Sequence, residues 1–224
     1  MSIVGIIPAK ANSRELPNKN ILDFCGKTLI GRAIECSLEA GLDRTVVITD
    51  SLLYREIARK EGAECVDKPS MEEMPGNHVI YAILQLLDLF NKDDIIVELQ
   101  PTTPLRTPNH VREALKLYGA SGGRNVISVT RAKDPNHVRT IEQGELRPIS
   151  ARNPNVTRQE IPPYYKVNGA IYISTALDLS RERTYHTKNA VPFFMPSYLS
   201  IDIDTWQDYQ MAKAAQFLFG EGRD

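Results

Sequence analysis

The sequence predicts an α/β fold: a mostly parallel sheet carrying helices on both faces. Two observations lead there. Up to about Thr130, short apolar runs alternate with stretches whose apolar residues recur at helical spacing, the order that strand–helix–strand units produce. The runs are also near-continuous and β-branched, which is how strands buried on both faces read.

The first strand is the run containing Ile3, Val4, Ile6 and Ile7, broken at Pro8. Gly26 to Leu38 then places Leu29, Ile30, Ala33, Ile34 and Leu38 at helical spacing, with Gly41 as a stop. Arg44 to Thr49 (RTVVIT) is a second strand ending at Asp50; Leu52 to Glu61 is a helix closed by Gly62; Ala63 to Val66 is a short strand. Residues 70–77 are polar and turn-rich, and His78 to Phe90 resumes helical spacing. The strand Asp94 to Leu99 (DIIVEL) runs into the segment from Gln100 to Arg106, which two prolines stiffen. A helix at His110 to Tyr118, a turn at Gly122-Gly123 and a strand at Val126 to Thr130 (VISVT) complete the alternating part. From Arg131 to Tyr165, prolines at 135, 148, 154, 162 and 163 predict a subdomain of short antiparallel strands and loops. Ala170 to Ile173 returns to strand and Thr175 to Arg181 to helix. Val191 to Met195 and Leu199 to Ile203 flank a turn, before an amphipathic helix from Trp206 to Phe219.

A chain of 224 residues fits one domain, or one with a small appendage, and can bury a substantial core. Its formal charge of -1 argues against a general nucleic-acid binder, so any anion site must be local. Cys25, Cys36 and Cys65 show no ligand spacing and read as reduced packing cysteines. No apolar run approaches the roughly 20 residues of a membrane span, and Met1 leads directly into the first strand. A cytoplasmic location and no membrane partner are expected.

Three places carry chemistry. The loop after the first strand holds Lys10, Asn12, Ser13, Arg14, Lys19 and Asn20, outside the carboxyl end of a strand where α/β sheets bind ligands. Its excess of donors suits a polyanion such as a triphosphate, though such a loop could equally be solvated surface. Asp202 and Asp204 in SIDIDT would share one face of a strand and repel unless a cation such as Mg²⁺ neutralises them. Asp204 could instead merely precede Thr205 as the N-cap of the last helix. Asn168-Gly169 pairs an amide that reads hydroxyls with a glycine that permits close backbone approach, and Arg158-Gln159 upstream adds a carboxylate-binding fork. There is no GxSxG, Walker A or GxGxxG, which disfavours triad hydrolases, P-loop ATPases and dinucleotide oxidoreductases.

The stretches IIPAKANSRELPNKN, GKTLIGRAIE, LQPTTPLR, RQEIPPYYKVNGAIYI and SIDIDTWQDYQMA, in this order over nearly the whole chain, resemble the CMP-sialic acid synthetase (acylneuraminate cytidylyltransferase) family, including enzymes for legionaminic and pseudaminic acids. The resemblance implies a Rossmann-like domain with a small dimerisation and sugar-binding subdomain inserted at about 131–168, and a homodimer. It implies attack by the 2-hydroxyl of a nine-carbon 2-keto sugar acid on the α-phosphate of CTP, releasing pyrophosphate. Lys10, Asn12, Ser13, Arg14, Lys19, Asn20 and Asn77 would then bind the nucleotide, with Lys10, Arg14, Lys19, Asp202 and Asp204 catalytic. Gln100, Arg106, Arg158, Gln159, Lys166 and Asn168 would face the sugar, and Asp202 and Asp204 would hold Mg²⁺. Two departures keep other readings open, a nucleotidyltransferase for another nucleotide or a sugar 1-phosphate, or a sugar-nucleotide binder that has lost turnover. Glu15 stands where the family usually has Gly, and residues 74–78 replace an Asp-Thr stretch.

Overall fold

A computed structural model of the chain describes residues 1–11, 13, 15–67, 78–135, 138–149 and 162–220, with backbone only at 78. Its centre is a seven-stranded sheet in the order β11-β7-β10-β6-β1-β4-β5. The strands are β1 (Ile3–Pro8), β4 (Arg44–Thr49), β5 (Glu64–Asp67), β6 (Ile95–Glu98), β7 (Val126–Arg131), β10 (Tyr165–Thr175) and β11 (Val191–Phe194). β1 pairs in parallel with β4 and β6, β4 with β5, and β11 with β7. β10 runs antiparallel to both its neighbours. The expected mostly parallel sheet is therefore present, with one reversed strand threaded into it.

Alternate residues of the buried strands feed two cores. Ile7, Val47, Ile95 and Val97 pack with Ile30 and Ile34 of α1 (Leu29–Glu39), Tyr54 and Ala58 of α2 (Leu52–Lys60), and Val111 and Ala114 of α4 (Pro108–Ala120). Val4, Ile6, Ile48 and Ile96 face the other way, onto Ile80 and Ile83 of α3 (His78–Leu84) and Leu179 of α5 (Ala176–Glu182). That is the doubly covered sheet which the continuous apolar runs predict. A third cluster seats α6 (Trp206–Phe219) through Tyr209, Ala212 and Ala215 against Phe24, Leu105 and Ile203.

Local chemistry sets the boundaries. Thr28, Ser51, Thr107, Thr175 and Thr205 cap the helices that follow them, and Thr107 and Thr205 each form a reciprocal capping box. The expected helix from Gly26 instead begins at Leu29, because Cys25 and Gly26 have φ of 54° and 87° and turn a small hairpin, β2 (Asp23–Phe24) with β3 (Lys27–Thr28). Cys25 is accordingly exposed, while Cys36 is buried. The expected helix from His78 to Phe90 ends at Leu84, and a 3₁₀ turn carries Leu86, Leu87 and Phe90 onto the same core. In the proline-rich segment the hairpin of β8 (Arg139–Glu142) and β9 (Glu145–Pro148) is exposed along its length. Residues 199–203 do not join the sheet; a 3₁₀ turn at Ser197–Leu199 leads into an extended segment tied down by Ile203 N donating to Thr102 O at 2.8 Å.

Candidate active site

A cavity of about 280 Å³ opens where the adjacent strands β6, β1 and β4 end. The residues lining it include Lys10, Ser13, Lys19, Asn20, Gln100, Thr102, Asp202 and Asp204. Strand direction explains the place: three parallel strands deliver their following loops to one side, the usual position of an α/β ligand site.

The loop after β1 is tied to the elements around it. Its Ala11 N donates to Asp50 Oδ1 at 2.8 Å, at the end of β4. The Tyr54 hydroxyl donates toward Ala11 O and Asn18 Oδ1, and burial pushes that phenol's pKa up, so it stays a neutral donor. Asn20 is buried, and its Nδ2 donates to Lys10 O at 3.0 Å, so one side chain both lines the cavity and fixes the loop. Lys10 is exposed at the cavity wall. Lys19 is the residue that joins the two ends of the chain: its Nζ lies 2.7 Å from Asp204 Oδ1 and donates to Ile203 O at 3.1 Å. Glu15 is exposed on an outer recess with Ser13, Leu16, Lys19 and Asp204, rather than in the cavity wall.

Asp202 and Asp204 both line the cavity, although the segment is extended loop and not a strand of the sheet. Asp202 accepts from the Thr102 side chain; the protein packed around it and the charges of Asp204 and Asp208 push its carboxyl up, against Thr102 and Lys19, which hold it down. Asp208 is spent on the capping box, where its Oδ2 accepts from Thr205 N and Oγ1 at 2.8 and 2.7 Å. The donor set is thus two oxygen-ligand carboxylates on one wall, with Lys19 bonded to Asp204 alone. It suits a hard divalent cation that keeps water or phosphate ligands. Among the described residues no third acidic, His or Cys side chain joins them.

Asn168 and Gly169 lie inside β10, where the register with β7 shifts between Val167 and Tyr172. The bulge carries Gly169, with φ of +74°, against the site: a Cβ built on it would lie 3.0 Å from Gln100 Oε1 and 3.5 Å from Asp202 Oδ2. Asn168 points the other way. It is buried, its Oδ1 accepting from Ser128 Oγ at 2.6 Å and its Nδ2 donating to Ser200 Oγ at 2.9 Å, so it locks the bulge instead of facing the cavity. Arg106 is also buried, its Nη1 donating to Gln100 O, Thr103 Oγ1 and Ala170 O at 3.2, 3.1 and 2.8 Å; it fastens the proline-stiffened turn to β10 and is not part of the cavity wall. Lys166 is exposed on β10 ahead of the bulge and does not line the cavity either. Asn12, Arg14, Asn77, Arg158 and Gln159 lie outside the described residues.

Thr102 and Tyr54 carried no signal in the sequence; Asp50 did, as the residue at a strand's carboxyl end.

The family model described as cytidylyltransferase matches residues 4–213. An N-acylneuraminate cytidylyltransferase of Streptococcus agalactiae is 33% identical over 216 residues, covering 93% of this chain and 52% of that protein, so the chain spans about half the length of such relatives. A CMP-N,N'-diacetyllegionaminic acid synthase of Legionella pneumophila is 33% identical over 224 residues, with 95% of both chains covered. A pseudaminic acid cytidylyltransferase of Campylobacter jejuni is 27% identical, again with 95% of both covered. Among solved structures, a CMP:2-keto-3-deoxy-manno-octonic acid synthetase complexed with CTP shares the fold, with a TM-score of 0.72 at 19% identity over 97% of this chain and 99% of that one.

Proposed function

The chain belongs to the cytidylyltransferase family, and from that premise we propose that it forms a CMP-sugar and pyrophosphate from CTP and a sialic-acid-like nonulosonic acid, with Mg²⁺. One observation carries the reading: cations from the N-terminal loop and carboxylates from residues 202–204 line a single cavity at the sheet's carboxyl edge.

The reaction needs charge neutralisation and alignment more than covalent help from the protein. Lys10 and Lys19, with Ser13 and Asn20, receive the triphosphate. Attack of the sugar's 2-hydroxyl forms a bond to the α-phosphorus, the bond to the bridging oxygen breaks, and the β- and γ-phosphates leave as pyrophosphate; the hydroxyl proton passes to solvent. Asp202 and Asp204 would hold Mg²⁺, which when bound supplies Lewis-acid charge to the phosphate oxygens. Gln100 on the cavity wall, with the Gly169 backbone packed beside it, would receive the sugar.

A cytoplasmic homodimer is part of the proposal, with the 131–168 segment as its inserted subdomain. Among the described residues no helix is long and apolar enough to cross a membrane. The dimer is supported by apolar side chains that this segment leaves in water, Ile141 and Leu146 on the exposed hairpin.

The test is pyrophosphate release from CTP, Mg²⁺ and a panel of nonulosonic acids. Activity that vanishes with chelator and returns with Mg²⁺, and falls by roughly two orders of magnitude or more in D202N, is expected from losing several kcal/mol of charge stabilisation. Silence across the panel at high enzyme, or undiminished rates in D202N and D204N, would overturn it. Thermal shifts that favour GTP, UTP or ATP over CTP would redirect it to another nucleotide.

A further inference from the structure

Glu98, the last residue of β6, is buried to 3% exposure beside the site, and the mechanism above makes no use of it. Its neighbours in register are Ile6 on β1 and Tyr172 on β10, so the carboxyl sits among apolar and aromatic groups. A carboxylate is rarely left there without a purpose, because burying it is costly unless something bonds it. What bonds it is Gln100, whose Nε2 donates to Glu98 Oε1 at 2.9 Å.

That bond has a directional consequence. A carboxylate can only accept, so the nitrogen end of the Gln100 amide must point down at Glu98. The oxygen end then lies beside Gly169, on the cavity wall that Gln100 shares with Asp202. A neutral partner in place of Glu98 could accept or donate, and the amide could then sit either way round.

We propose that Glu98 is a positioning residue for the sugar acid: by holding the Gln100 amide nitrogen, it presents Gln100 Oε1 to the cavity as a fixed acceptor for a hydroxyl of the bound substrate. The proposal rests on the cytidylyltransferase reading for its substrate, but not for its geometry. Burial pushes the Glu98 carboxyl up to about 7, against the hydrogen bonds from Gln100 and the Tyr185 hydroxyl, so the fixing is strongest above neutrality. The titratable groups facing Glu98 are Tyr172, from β10, and Tyr185, from the segment after α5; burial and the carboxylate's charge push both phenols well up, so neither titrates near pH 7. Asp202 acts on Glu98's neighbour Tyr172, and His186 touches the edge of the Tyr172 ring, so the comparison of wild type with a Glu98 variant cancels both.

The experiment uses E98Q, close to isosteric, with folding checked by thermal melt. Losing one oriented hydrogen bond is expected to raise KM for the sugar acid about three- to tenfold while leaving kcat and KM for CTP nearly unchanged. In wild type the KM for the sugar should rise as pH falls through 7, and E98Q should lose that dependence. An E98Q enzyme with unaltered sugar KM, or with CTP and sugar KM raised alike, overturns the proposal. A second measurement needs no turnover: the ¹⁵N resonance of the Gln100 side chain, assigned by its absence in Q100L, should titrate near neutrality in wild type and be flat in E98Q. Should wild type turn over no sugar acid, the functional reading fails by itself. A Gln100 resonance indifferent to both pH and E98Q then sinks the positioning claim separately.

Discussion

Replacing Gly169 by alanine probes the bulge that closes the site. At φ of +74° a side-chain-bearing residue is strained by roughly 1–2 kcal/mol, and the new methyl would meet Gln100 Oε1 at 3.0 Å. The Gln100 oxygen is a side-chain end and not backbone, so it can give way at the expense of the orientation Glu98 holds, and stability pays mainly the backbone strain, partly offset by alanine's smaller entropy in the unfolded chain. A net loss of about 1 kcal/mol remains, which for a domain of this size lowers Tm by roughly 2–4 °C. Gly119 provides the internal control. It sits exposed in α4 with no positive φ and nothing within 4 Å of a built Cβ, so G119A should gain about 0.5–1 kcal/mol from helix propensity. The same chemical change is thus predicted to move stability in opposite directions at two places. Urea midpoints and thermal melts of the two variants measure this, and the sugar KM of G169A reports the displaced Gln100. Shifts of the same sign, or a G169A protein as stable as wild type with unchanged KM, would refute the assignment of that backbone to the site.

Three further outcomes follow from the same structure. Glu98 has a folded pKa of about 7 against an ordinary 4.5, so between those values the native state holds a proton that the unfolded chain has lost; stability therefore falls as pH rises through this window, by up to about 3 kcal/mol, and E98Q should flatten the slope in urea titrations run at several pH values, whereas an unchanged slope would refute it. Removing Arg106 takes one buried donor from each of Gln100 O, Thr103 Oγ1 and Ala170 O and empties the space the guanidinium fills, so R106A should cost roughly 3 kcal/mol and several degrees of Tm; a melt like wild type would show that the turn does not depend on it. T205A removes the cap of α6 and one of the three donors to Asp208, for about 1 kcal/mol and a Tm drop of roughly 2–4 °C by calorimetry; no drop would mean that the Thr205 hydroxyl contributes nothing.

The parts of the fold that sequence makes legible are those in which one residue type has one physical use. RTVVIT is a strand from Arg44 to Thr49 as expected, and Trp206 to Phe219 is a helix with those bounds, because periodicity and a Thr cap admit little else. The reversed direction of β10 was not legible, since a buried antiparallel strand between parallel neighbours has the same apolar composition as they do. Met211 and Phe217 show the limit of periodicity from the other side: they fit the helical pattern of α6, yet both are exposed, and Tyr209, Ala212 and Ala215 make the contact.

The site divides along the same line. Charged residues that converge from distant parts of the chain were legible as a set, since Lys10, Lys19, Asp202 and Asp204 have few uses in common except around a polyanion and its metal, and the structure brings all four to one cavity. Residues with two uses were not. An arginine at the end of LQPTTPLR and an asparagine beside a glycine can bind a ligand or satisfy buried backbone, and only burial separates the two: Arg106 and Asn168 are each almost wholly enclosed and committed to protein acceptors and donors. Their work is to hold in place what meets the site, Gln100 on the cavity wall and the Gly169 backbone packed beside it. Motif residues around this cavity therefore fall into two layers, an outer one of exposed charge and a buried one of amides, guanidinium and carboxyl. Glu98 belongs to the buried layer, which is why orientation rather than charge is the property by which it reaches the substrate.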